Sequence, residues 1–166
     1  MAEHAPPSPN DRCSAFVSDQ RIVLAGNLLA ATNRLTKALD QHLLATTGLS
    51  LVFYEALVHV RRSPNNRLTM GELAGELGLT TGGATRLVDR LVEREFVVRV
   101  QCPSDRRTLY IEVTSSGAAE LEHATTRYLD ALDCLLIAPV APVQLGALNE
   151  ALSQIAIAPF RQSTSD

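Results

Sequence analysis

The stretch from Thr69 to Leu91 constrains this chain more than any other. Thr69-Met70-Gly71-Glu72 is a capping box: the threonine hydroxyl accepts from the Glu72 amide while the Glu72 carboxylate reaches back to Thr69. Leu73 and Leu77 line the inner face of the short helix this opens, and Gly78 closes it. After Leu79, Thr80 and Thr81 cap a second helix with Leu87, Val88 and Leu91 inward and Arg86, Arg90 and Arg94 outward. Two short helices joined by Gly78-Leu79 form a helix-turn-helix. Two alternating runs follow, residues 96–101 and 108–114, separated by Cys102-Pro103-Ser104-Asp105-Arg106-Arg107. Phe96, Val98 and Val100 share a face in the first; Leu109, Ile111 and Val113 do in the second. That pattern predicts an antiparallel hairpin with a polar, basic tip, which makes the helix-turn-helix a winged one.

The flanks are helical. Residues 1–14 are rich in proline and polar groups and read as a mobile arm. Over residues 18–46, Ile22, Ala25, Leu28, Leu29, Leu35, Leu39 and Leu43 recur at helical spacing until Gly48 stops the run. Ser50 can cap a second helix reaching about Arg62, with Phe53, Leu57 and Val60 on one face, and Ser63-Pro64-Asn65-Asn66 is a turn. Thr114 can cap a helix carrying Leu121, Thr125, Tyr128, Leu132 and Leu135 in line. Pro139 ends it, and Pro142 opens a last helix with Leu145, Leu148, Leu152 and Ile155. The fold class is therefore mainly α: a winged helix-turn-helix with flanking N- and C-terminal dimerisation helices. Its segments are an arm (1–17), the first two helices (18–62), the winged lobe (63–114) and the C-terminal helices with a short tail (115–166). The outer helices carry more apolar surface than a winged helix can cover, which predicts a homodimer.

Composition narrows the partners. No run approaches the roughly 18 consecutive apolar residues of a membrane span. The opening residues also lack a secretory core, so the expectation is a cytoplasmic protein. Cys13, Cys102 and Cys134 are an odd, scattered set that fits a reducing compartment rather than a disulfide framework. Net charge is −3, yet residues 61–107 carry nine arginines against six carboxylates, +3, leaving −6 elsewhere. A basic middle in an acidic chain is the footprint nucleic acid requires. Fourteen of the fifteen Lys and Arg residues are Arg, which favours planar bidentate contacts. There is no glycine-rich phosphate loop, no G-x-S-x-G and no H-E-x-x-H, so no enzyme is expected and no cofactor. His4, His42, His59 and His123 are scattered without ligand spacing, so no metal is expected.

The front of the second helix, residues 80–90, is the part that enters a major groove. Thr80, Thr81, Gly82, Gly83, Thr85, Arg86 and Arg90 are its candidate contacts. Arg86 is the first choice for a base edge, where an Arg–guanine pair discriminates by about 1–3 kcal/mol. At the wing, Arg106 and Arg107 suit a narrow minor groove, with Asp105 placed to orient the Arg107 guanidinium.

Residues 68–121, with ELAGELGL, TRLVDRLVER, PSDRR, LYIEVT and Gly117, resemble the core of the MarR (multiple antibiotic resistance regulator) family. The resemblance implies a homodimeric transcriptional regulator, commonly a repressor, meeting a palindromic double-stranded DNA operator. It places Arg107 in the minor groove with Asp105 as its partner, and Arg86 with residues 80–83 in the major groove. It also implies a small aromatic or phenolic effector in a crevice to which Arg34, Phe53, Tyr54, Leu57 and His59 contribute. One departure stands out: family members usually carry Gly where this chain has Glu95. The alternatives are a winged helix used for protein–protein contact and a thiol-redox-responsive regulator. For the latter, Cys102 lies at the wing, Cys13 in the arm, and Cys134 reads as a packed helical residue.

Overall fold

The computed structural model describes residues 17–102 and 108–157. Cys13 and the wing-tip residues Asp105, Arg106 and Arg107 lie outside the described residues.

The chain divides into two units, residues 1–38 and 39–166. Helix α1 (Gln20–Thr47) begins in the first and ends in the second. In the first unit Ile22, Val23, Leu24 and Leu29 are exposed, and α1 buries only Leu39 and Leu43, both in the second. Helix α2 (Leu51–Arg62) starts at Ser50, but the serine side chain makes no cap bond. The Leu51 amide instead donates to Asp40 Oδ1 at 2.8 Å, a cap supplied from eleven residues upstream. The predicted turn is a short 3₁₀ segment, Pro64–Asn66, with Asn65 and Asn66 both at positive φ.

The two short helices are α3 (Met70–Glu76) and α4 (Thr81–Glu93). The capping box forms as read: Glu72 N–H donates to Thr69 Oγ1 at 3.3 Å, and Thr69 N–H donates to the Glu72 carboxylate at 2.7 Å. A three-residue strand β1 (Arg67–Thr69), too short to show alternation, precedes α3. It joins β2 (Val97–Gln101) and β3 (Leu109–Val113) in an antiparallel sheet of order β1-β3-β2.

The register keeps Val98 and Val100 on one shared face, as read, and shows that it is the outer one. Arg99 pairs with Ile111 and Val97 with Val113, so these four share a face, and Val97 and Ile111 are buried on it. Val98 and Val100 share the opposite face with Glu112 and Tyr110, and Val98 is 44% exposed. The physical reason is the burial of Val97 and Ile111; Arg99, on the same side, stays exposed and pairs through its guanidinium with Asp89 of α4 at 2.5 Å.

Helix α5 (Ser115–Leu132) runs into a π turn, Asp133–Ile137, before Pro139. Gly117, Ala124 and Ala131 are its buried residues; Leu121, Thr125 and Tyr128 are half-buried beside them. Helix α6 (Pro142–Ile157) buries none of its side chains. Cys134 is exposed in the π turn, not packed as expected, because no residue of Asp133–Ile137 is buried by the rest of the described chain. Leu43, Leu49, Leu57, Leu73, Val88, Leu91, Val97 and Ile111 are fully buried. This is an aliphatic core, as a sequence with 4% aromatics requires. No single helix among the described residues is long and apolar enough to cross a membrane.

Candidate nucleic-acid interface

Helix α4 is built to hold its exposed face still. At its start Thr80 Oγ1 accepts from the Gly83 amide at 3.1 Å, and the Thr85 hydroxyl donates to the Thr81 carbonyl at 2.9 Å. Both hydroxyls are thus engaged within the helix, each keeping further capacity toward a partner. Along the buried face Ala84, Leu87, Val88 and Leu91 face the core. Thr81, Gly82, Thr85, Arg86 and Arg90 are exposed, and Gly83 is half-buried. Among the described residues neither Arg86 nor Arg90 takes part in an ion pair. Both line a groove of about 520 Å³ with Phe53, Leu79, Gly83 and Leu87.

The exit of α4 is equally defined. The Glu95 amide donates to the Val92 carbonyl at 2.8 Å and the Phe96 amide to Leu91 at 2.9 Å, the paired bonds of a Schellman ending. The ending puts Glu95 at φ 60°, a left-handed conformation that costs a residue with a Cβ about 1–2 kcal/mol. Glu95→Gly is therefore expected to raise stability by about 1 kcal/mol, read as a higher urea midpoint at unchanged slope. A lower midpoint would contradict the assignment. Thr114 then ties this exit to α5. Its hydroxyl donates to the Glu95 carbonyl at 2.6 Å, its amide to Phe96 O at 3.0 Å, and its Oγ1 accepts from the Gly117 amide at 2.9 Å. Arg94 is exposed, as read, with Arg86 and Arg90, and in addition donates from both terminal nitrogens to the Gly48 carbonyl.

The five residues proposed for an effector crevice are dispersed. Arg34 is exposed on α1 in the first unit. Leu57 is fully buried core, and Phe53 lines the groove beside α4. Tyr54 and His59 line a separate cavity of about 490 Å³, with Glu55, Arg62, Thr125 and Tyr128. Within it the rings of Tyr54 and Tyr128 stack at 4.6 Å, and the Thr125 hydroxyl lies 3.4 Å from that of Tyr54. His59 Nδ1 sits 3.2 Å from the Glu76 carboxylate of α3. Burial pushes the Glu55 carboxyl above its ordinary range, opposed in part by His59. Burial also raises the Tyr128 phenol, helped by Tyr54 and Glu55. The sequence reading missed Glu55, Arg62 and Tyr128 as lining. Position on a helix face was legible for each, but the pairing of α2 with α5 was not. Among the described residues no three His, Cys, Asp or Glu side chains converge as metal ligands.

Comparison with known proteins places this architecture. The MarR family profile matches residues 47–108. The transcriptional repressor MprA of Escherichia coli is 29% identical over 94 residues, 57% of this chain and 49% of the repressor. The match thus spans about half the length of that curated relative. A MarR family transcriptional regulator of Streptomyces coelicolor, solved in complex with DNA, is 26% identical with a TM-score of 0.74, covering 93% of this chain and 95% of that one. CouR of Rhodococcus jostii, solved bound to p-coumaroyl-CoA, is 26% identical with a TM-score of 0.71, covering 88% of this chain and 98% of that one. Residues 47–108 thus match the MarR family, and with its capped helix-turn-helix, three-stranded wing sheet and flanking helices the chain has the winged helix-turn-helix fold of MarR family regulators.

Proposed function

We propose that this protein is a sequence-specific double-stranded DNA-binding transcriptional regulator, a cytoplasmic homodimer that represses until a small aromatic or phenolic effector releases it. The observation that carries this reading is the exposed face of α4, where Arg86 and Arg90 stand outside any ion pair among the described residues, on a helix fixed at both ends. Exposed arginines on a helix held at both ends are what base-edge and phosphate recognition need. Residues 63–114 are the reading lobe in this proposal, and 18–62 and 115–166 supply the pairing helices. Asp105, Arg106 and Arg107 are assigned to the minor groove on their sequence alone.

Two further features support the partners. Helix α6 exposes Val143, Leu152, Ile155 and Ile157, and α1 exposes Ile22, Leu24 and Leu29; apolar surface of this kind marks an interface. The cavity holding the Tyr54–Tyr128 stack is of a size that takes a small ligand. It offers an aromatic wall, with Arg61 and Arg62 in the lining to meet an acid. The Streptomyces relative in complex with DNA and the Rhodococcus relative with an aromatic thioester are precedents for each partner class.

The test is a titration of the full chain at two salt concentrations. One duplex is enriched by the protein from a random pool; the other is its scramble. The expected result is preference for the enriched duplex, with log affinity falling by about 0.9 per phosphate contact per log unit of salt. Failure to enrich any duplex, with no salt slope, would leave the protein-contact reading in its place.

A further inference from the structure

We infer that Arg94 is a positioning residue that fixes the angle at which α4 is presented, and not a contact to the phosphate backbone. The inference rests on the DNA-reading proposal and goes beyond it. By spacing, Arg94 continues the row of Arg86 and Arg90, yet its surroundings differ. Its Nη1 and Nη2 both lie 3.2 Å from the carbonyl oxygen of Gly48, a residue 46 positions upstream. The guanidinium carbon is 5.8 Å from the ring centroids of both Phe53 and Phe96. Arg94 is the C-cap of α4, and its cation meets the carbonyl of Gly48, which follows the negative end of α1. The planar fork and the flanking rings hold it in one orientation, as an ammonium on a flexible stem would not be held.

The contact matters because of leverage. Helix α4 has 13 residues and is thus about 20 Å long. A pivot of about 10° at its Arg94 end would move the Thr80 end by about 3 Å, several times the roughly 0.5 Å tolerance of a working recognition geometry. Thr114 anchors the backbone of the same exit toward α5, and Asp89 ties the middle of α4 to Arg99 of the wing. Arg94 supplies the remaining tie, to the turn between α1 and α2.

Arg94→Lys and Arg94→Gln separate positioning from charge. Each full-length variant is melted by circular dichroism and assayed well below its transition. The probes are the duplex enriched by the wild-type protein and its scramble, across a salt series. The expected result is that both variants lose about tenfold in the enriched-over-scrambled ratio while keeping the wild-type salt slope. Phe96→Leu removes one flanking ring with every charge in place, and is expected to lower the ratio less. A Gln variant whose salt slope falls by about 0.9, with Lys restoring wild-type behaviour, would make Arg94 a phosphate contact and overturn the inference. A lowered melting temperature with an unchanged ratio would reduce Arg94 to a purely structural role and overturn it as well. If the wild type enriches no duplex, the DNA-reading proposal falls and this inference with it. If the wild type enriches one and the variants match it, only this inference falls.

Discussion

Gly117→Ala should lower stability by about 3 kcal/mol, although glycine to alanine in a helix ordinarily helps by about 0.5–1 kcal/mol. The sign reverses because a Cβ built at Gly117 would stand 2.0 Å from the Phe96 carbonyl oxygen and 2.8 Å from its carbon. Those are backbone atoms, so no rotamer change relieves the clash. Moving the Phe96 carbonyl would also disturb the bonds it accepts from the Thr114 amide and hydroxyl, at 3.0 and 3.2 Å. The melting temperature should fall by about 10 °C for a chain of this size. Gly71→Ala is the control: nothing lies within 4 Å of its added Cβ, so stability should hold or rise. Equal melting of the Gly117 variant and wild type would mean that α5 does not approach the α4 exit this closely.

Arg86→Ala should relax sequence preference while leaving the fold intact. The side chain is exposed and outside any ion pair among the described residues, so its removal leaves no orphaned partner within the chain. If Arg86 reads a guanine edge, the loss is about 1–3 kcal/mol at one base position, and substitutions there in the duplex should cease to matter. Arg90→Ala, one turn further along α4, should weaken enriched and scrambled duplexes alike if it meets phosphate. A binding series on single-base variants of the enriched duplex distinguishes the two. An Arg86 variant with the wild-type profile at every position would remove the assignment.

Features held by neighbours in sequence were legible in advance. The Thr69–Glu72 box, the Thr80 cap and the Thr114 cap each close over three residues, and all three form. The unusual Glu95 was also visible, as an acid where glycine is customary, and its positive φ gives that departure a physical cost. What escaped the sequence was non-local. Ser50 has the chemistry of a cap, but Asp40 reaches the Leu51 amide instead. Alternation in β2 identified which residues share a face, but not which face is inward. That was decided by tertiary packing, which buries Val97 against Ile111 while Arg99 on the same side stays exposed and meets Asp89. Arg94 was similarly invisible, since nothing around it in sequence announces the Gly48 carbonyl. Of the residues named for the crevice, Tyr54 and His59 meet at one cavity, because only tertiary packing decides which face of α2 borders α5.

The sixteen residues of α6 carry a consequence for dosage. An isolated helix of this length is marginal in water, and α6 has no buried side chain of its own to hold it. If its apolar face is covered by a second copy, mass action links its order to the amount of chain present. Below the dissociation constant of the pair, the population able to span both halves of a palindrome then scales with the square of chain concentration. A twofold drop in synthesis would cut that population fourfold, so under the proposed function the response to dosage is steeper than proportional.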